Sequence, residues 1–157
     1  MIRGILIPGM GDKSAAFAIR REVFIEEQGF SEQTEFDCID DIALHVLVIE
    51  DGVPAATARL YQQNGQYHIG RVAVLKANRG RGLGDMAMRM LMLKAGELGA
   101  KEVALGAQTQ AEGFYRRLGF LPTGEQYDDE GVPHIMMKEA LAQPACCGGQ
   151  CKTDQEI

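Results

Sequence analysis

Arg79, Gly80, Arg81, Gly82, Leu83 and Gly84 stand between the apolar run Val72, Ala73, Val74, Leu75 and a helix-like stretch that begins near Asp85. A glycine-rich turn therefore leads straight into a helix N-terminus. Glycine lets the backbone approach a ligand closely, and the first unpaired N–H groups of a helix point outward with partial positive charge. Arg79 and Arg81 add full positive charges beside them. The spacing predicts a site for a phosphate-bearing cofactor.

The elements around the loop follow from periodicity. Ser14 is positioned to cap a helix through Phe17, Ile19, Arg20, Val23, Phe24 and Glu27, closed by Gly29. Leu44–Ile49 and Val53–Tyr61 read as strands joined by the turn pair Asp51-Gly52, and Asn64-Gly65 leads into Tyr67–Leu75, completing an antiparallel meander. A mostly apolar helix from Asp85 to Gly99 then precedes a strand from Glu102. A strand, helix, strand order of this length implies a right-handed crossover and hence a parallel pair. A short helix over Ala111–Leu118 ends at Gly119, and Pro122–Gly131 leads by a turn to a last strand, His134–Lys138. The expected architecture is α/β (α+β), a mixed, mostly antiparallel sheet with helices on both faces.

Neither of two familiar phosphate loops fits. A P-loop needs four residues between its glycines followed by Gly-Lys-Ser/Thr, and no segment has that. A dinucleotide fingerprint needs a third glycine where this chain has Asp85, which would bring a carboxylate towards a pyrophosphate. What stands here is R-x-x-G-x-G after a strand and opening a helix. It resembles the acyl-CoA loop of the GNAT superfamily of N-acetyltransferases. The order of elements from about Ile19 to Met137 resembles that family too, with AEGFYRRLGF over Ala111–Phe120 as a second matching segment. REVFIEEQGF and GVPHIMMK further resemble the small bacterial ElaA- and YjcF-like branch.

The resemblance implies an acyl-CoA N-acyltransferase (GNAT) fold in which a parallel strand pair splays apart and pantetheine lies in the gap. It implies acetyl-CoA as co-substrate and an acetyl transfer to a primary amine by direct attack in a ternary complex. On this chain, Val72, Ala73 and Val74 would offer backbone groups to pantetheine, and the Val74 N–H would donate to the thioester oxygen. Arg79, Gly80, Arg81, Gly82, Leu83 and Gly84 would hold the pyrophosphate. Tyr115 matches the tyrosine that protonates the departing thiolate, and Gln108 falls in a cofactor-contacting slot where other members often carry Asn. The acceptor must lose a proton before it attacks, since an alkylammonium has its pKa near 10. Glu27, His68 and His134 are the candidate bases, directly or through water.

Composition bounds the remainder. A chain of 157 residues with 46% apolar content suits one domain, here residues 1–142, followed by a flexible cysteine-containing tail over 143–157. No run reaches a membrane span and MIRGILIPGMGDK does not resemble a signal peptide, so a cytoplasmic location is expected. The net charge of −6 argues against nucleic acid as a partner. The acids Glu22, Glu26, Glu27, Glu32, Glu35, Asp37, Asp40 and Asp41 read as a solvated face, with a rim drawing in a cationic substrate as the alternative. The four cysteines are expected to be reduced. Cys146, Cys147 and Cys151 read as an oxidisable tail or, alternatively, as ligands for a soft ion, and no metal is required. Two rival functions stay open: a CoA-binding regulatory or thiophilic-metal-sensing module, and an acyltransferase using a longer acyl-CoA. Oligomeric state is also open, a homodimer included.

Overall fold

The computed structural model describes residues 1–141, so Cys146, Cys147 and Cys151 lie outside the described residues. The chain opens with β1 (Ile2–Ile7), which pairs antiparallel with β2 (Leu44–Glu50) in the register Ile2 to Glu50 and Ile7 to His45. The sequence did not advertise β1, because Gly4 interrupts IRGILI and leaves no alternation to read. Asp51 and Gly52 both have positive φ, 50° and 82°, as have Asn64 and Gly65, 51° and 77°. Such pairs make the tight turn whose twist matches two antiparallel strands. They join β2 to β3 (Val53–Gln63) and β3 to β4 (Gln66–Val74), as expected.

The first helix, α1 (Ser14–Arg20), runs on without a break into a wider π-type segment, Arg21–Glu27, where the Gln28 N–H reaches the Val23 carbonyl. Its start differs from expectation. Ser14 is the first helical residue, not the cap, and its N–H donates to the Asp12 carboxylate at 3.0 Å. A single turn, α2 (Glu32–Glu35), follows, capped by Ser31. Beyond the glycine loop come α3 (Leu83–Glu97), β5 (Glu102–Gln108) and α4 (Glu112–Arg117). The segment 122–131, expected as a lead-in to a turn, belongs instead to the hairpin of β6 (Leu121–Asp129) and β7 (Val132–Ala140). All nine β6 residues are exposed, so the segment has no buried face and thus no hydrophobic period to betray it.

The seven strands form one sheet in the order β1-β2-β3-β4-β5-β7-β6, antiparallel throughout except for β4 against β5. Helices cover both faces. Alternate residues of β2 show how: Val46 and Val48 pack towards Leu83, Met88 and Leu91 of α3, while Leu47 and Ile49 pack towards Ile19 and Val23 of the first helix. Burial on both faces makes β2 a continuous apolar run. The same alternation divides β4, whose Val72 and Val74 join the α3 side and whose Ala73 joins the α1 side. Each fully buried Leu or Met in these layers contributes about 1.5–3 kcal/mol.

Candidate active site

β4 and β5 are paired only at Tyr67 with Val103 and His68 with Ala104. Beyond that point β4 bulges. Arg59 of β3 faces Gly70 and Thr57 faces Ala73, so Arg71 and Val72 together oppose Ala58 alone. Arg71 takes φ of +52°, a conformation that costs a side-chain-bearing residue energy. Where the strands part lies a cleft of about 490 Å³, walled by β4, β5, α4 and the β6–β7 hairpin.

The glycine loop follows the end of β4 and opens α3. Gly80 and Gly82 have φ of +80° and +78°, and the Gly82 carbonyl accepts from the Met86 N–H to start α3. A side chain at either glycine would be strained, which explains their presence in the turn. The free amides of the first turn of α3 face no intrahelical partner. Both arginines of the loop are held by carboxylates. Arg79 grips Glu27 with two hydrogen bonds, 2.8 and 2.7 Å, and its Nε donates to the Val74 carbonyl at 3.0 Å. Arg81 donates to Glu50 at 2.7 Å, and Glu50 also accepts from Asn78 at 2.7 Å. The hydrogen bond from Arg79 holds the Glu27 carboxyl below its ordinary value, against the opposing effect of burial.

Tyr115, on α4, lines the cleft with only 8% of its surface exposed, and burial raises its phenol above the ordinary value. Phe114 and Phe120 hold its ring edge-on. His68 and His134 also line the cleft, whereas Glu27 does not. The His68 ring stacks on Tyr61, and burial, then Lys138, lowers its pKa, so the imidazole is neutral at pH 7. His134 stacks on Tyr127, and its Nδ1 lies 2.8 Å from the Val132 carbonyl. A carbonyl only accepts, so Nδ1 carries a proton, and in the neutral ring Nε2 is the nitrogen with the lone pair. The Tyr127 hydroxyl rests over Gly106, where a Cβ would lie 2.1 Å away; only glycine in β5 allows that approach. Gln108 donates to Gln28 at 2.7 Å, tying the end of β5 to the first helix.

Sequence reasoning missed the charged cluster behind the cleft. Glu35 and Asp40, expected on a solvated face, are buried at 4% and 2% exposure, which corrects that expectation for these two acids. Asp37 is partly buried, while Glu22, Glu26, Glu32 and Asp41 are exposed as expected. Arg20 donates to Glu35 at 2.9 Å and Asp40 at 2.6 Å, and Arg59 to Asp37 at 2.6 Å and Asp40 at 2.8 Å. Arg71 completes the set by pairing with Glu35 and Asp37. Burial opposes ionisation of Asp40, but the hydrogen bonds and charges of Arg20 and Arg59 win and pull its carboxyl down to about 2. The available signal was three arginines among apolar neighbours, matched in number by acids in one loop.

Residues 12–141 match the family model described as an acetyltransferase (GNAT) domain. The N-acetyltransferase YjcF of Bacillus subtilis is 34% identical over 78% of this chain and 88% of its own length. The crystal structure of Escherichia coli ElaA superposes with a TM-score of 0.77 at 31% identity, covering 88% of this chain and 99% of that one. A GNAT family acetyltransferase from Elizabethkingia anophelis, solved with acetyl-CoA bound, shares the fold at a TM-score of 0.67 and 16% identity, over 89% of this chain and 98% of that one.

Proposed function

The chain belongs to the GNAT acetyltransferases, and we propose that it moves the acetyl group of acetyl-CoA directly to a primary amine while both substrates are bound. The observation that carries this reading is the parting of β4 from β5 immediately before a glycine loop that opens α3, with Tyr115 and two histidines on the cleft between them.

The diphosphate would be held by the loop amides from Arg79 to Gly84 with help from Arg79 and Arg81, and pantetheine would lie along Val72, Ala73 and Val74, with Gln108 near it. Arg79 must then leave the Val74 carbonyl that it occupies in the free protein. The Val74 N–H would stabilise the oxygen of the thioester as the amine adds to its carbonyl carbon, an interaction worth about 10²–10³ in rate. His68 is the favoured proton acceptor for the amine, since it is neutral and faces the cleft, with His134 Nε2 as its partner candidate. Glu27, bound by Arg79, is the least available of the three. As the new C–N bond forms and the C–S bond breaks, the thiolate takes the proton of Tyr115. Burial disfavours the phenolate, so Tyr115 is held in the protonated form that a proton donor requires.

Calorimetry with acetyl-CoA and CoA release over an amine panel test this directly. Tyr115→Phe is expected to lower kcat by about 10²-fold or more while leaving the acetyl-CoA Kd unchanged. No heat from acetyl-CoA with folded protein, together with no effect of Arg79→Ala, would overturn the assignment.

A further inference from the structure

Two features of Arg71 do not follow from the needs of a strand. Its φ is +52°, while Gly70, one residue earlier, could adopt such a conformation freely and does not. A long side chain therefore occupies the strained position of the bulge. Its guanidinium also reaches out of the sheet: Nε donates to the Glu35 carbonyl at 3.2 Å, and Nη2 to the Thr34 carbonyl at 3.0 Å and to Asp37 at 3.3 Å. Glu35 adds an ion pair at 3.2 Å. Thr34, Glu35, Arg71 and Val72 all line the same cleft. The side chain thus joins the wall formed by 34–37 to the strand residue that immediately precedes Val72, Ala73 and Val74.

We propose that Arg71 is a positioning residue that locks the bulge of β4 to the Thr34–Asp37 segment, so that the acyl-CoA strand and this wall of the cleft keep one relative geometry. The inference rests on the reading of Val72–Val74 as the cofactor strand and deepens it. Two main-chain carbonyls receive the guanidinium, so the clamp registers the backbone of the segment and not merely the charge of its side chains. The bulge sets where the strand turns away from β5, and the clamp sets how far. A loosened clamp leaves the glycine loop intact but lets the two reactants drift relative to each other, and small misplacements of reacting groups lower turnover more than binding. The planar fork of arginine makes these several contacts at once, and lysine does not reproduce them.

Arg71→Gly separates the side chain from the strain, because glycine accepts φ of +52° without penalty while removing the clamp. Hydrogen exchange on the free protein is the first measurement. Exchange at 72–74 and at 34–37 should accelerate together, about tenfold or more, while the α3 amides keep their wild-type protection. Unchanged exchange in either segment overturns the clamp, as does an equal acceleration everywhere, which marks a general loss of stability. Steady-state kinetics with acetyl-CoA and an amine that the wild type accepts give the second. The expected result is a kcat about tenfold or more lower, with the KM for acetyl-CoA within about threefold, and only partial recovery in Arg71→Lys. Wild-type kcat and KM in Arg71→Gly would overturn the positioning role while leaving the transferase assignment standing. Failure of the wild type to bind acetyl-CoA would instead remove the transferase assignment, and the exchange result would still decide the clamp.

Discussion

Replacing Asp40 by Asn should destabilise the protein far more at neutral pH than in acid. Asp40 is 2% exposed, and its carboxylate accepts from Arg20 and Arg59 and from the Asp37 N–H. The fall from its ordinary 3.8 to about 2 corresponds to about 2–3 kcal/mol of stability. Because the folded-state value is the lower one, this contribution is complete above about pH 4 and disappears as the pH falls through 2. About half of it should already be lost at pH 3. The neutral amide also leaves two buried guanidinium groups short of a partner, so the total loss at pH 7 should be about 3–5 kcal/mol, a large share of a typical domain's stability. Urea unfolding of both proteins at pH 7 and pH 3 is the assay, with unchanged m-values as the check on two-state behaviour. The gap should narrow by about 1 kcal/mol at pH 3. A gap below about 1 kcal/mol at pH 7, or one that does not change with pH, would refute the argument that these ion pairs hold Asp40 ionised.

Glu27→Gln should tighten acetyl-CoA binding, because the carboxylate competes for Arg79 in the free protein; for a pair this exposed the gain is about two- to fivefold by calorimetry, and weaker binding would show that the pair supports the bound state. The acid limb of the kcat/KM profile should have its midpoint below 6.5, since burial and Lys138 lower the His68 pKa in the free protein and the imidazole loses its lone pair only when protonated. In His68→Gln that limb should vanish, and its persistence at the same pH would pass the role of base to another group.

Legibility in the sequence followed burial pattern. Asp51-Gly52 and Asn64-Gly65 announce their turns because positive φ at two successive positions selects those residue types, and the β2 run and the glycine loop are equally explicit. β6 left no trace because LPTGEQYDD is exposed along its whole length. For the candidate site, Tyr115 and His68 were singled out by motif and position, and both line the cleft. Arg59 and Arg71 were passed over because charged residues within strands carry no period. Their partners arrive from a loop some 20–36 positions away in sequence, and a spacing argument does not reach that far.

Arg20, Arg59 and Arg71 cancel Glu35, Asp37 and Asp40 one for one, so the interior cluster contributes nothing to the net charge of −6. The excess of negative charge therefore lies outside this cluster, and the two cations of the glycine loop are already neutralised by Glu27 and Glu50. On the proposed reading, a phosphate-rich molecule would approach without long-range attraction. Its capture would depend on short-range exchange of one anion for another at Arg79 and Arg81, and screening ions would ease the approach where most phosphate-binding surfaces would lose by them.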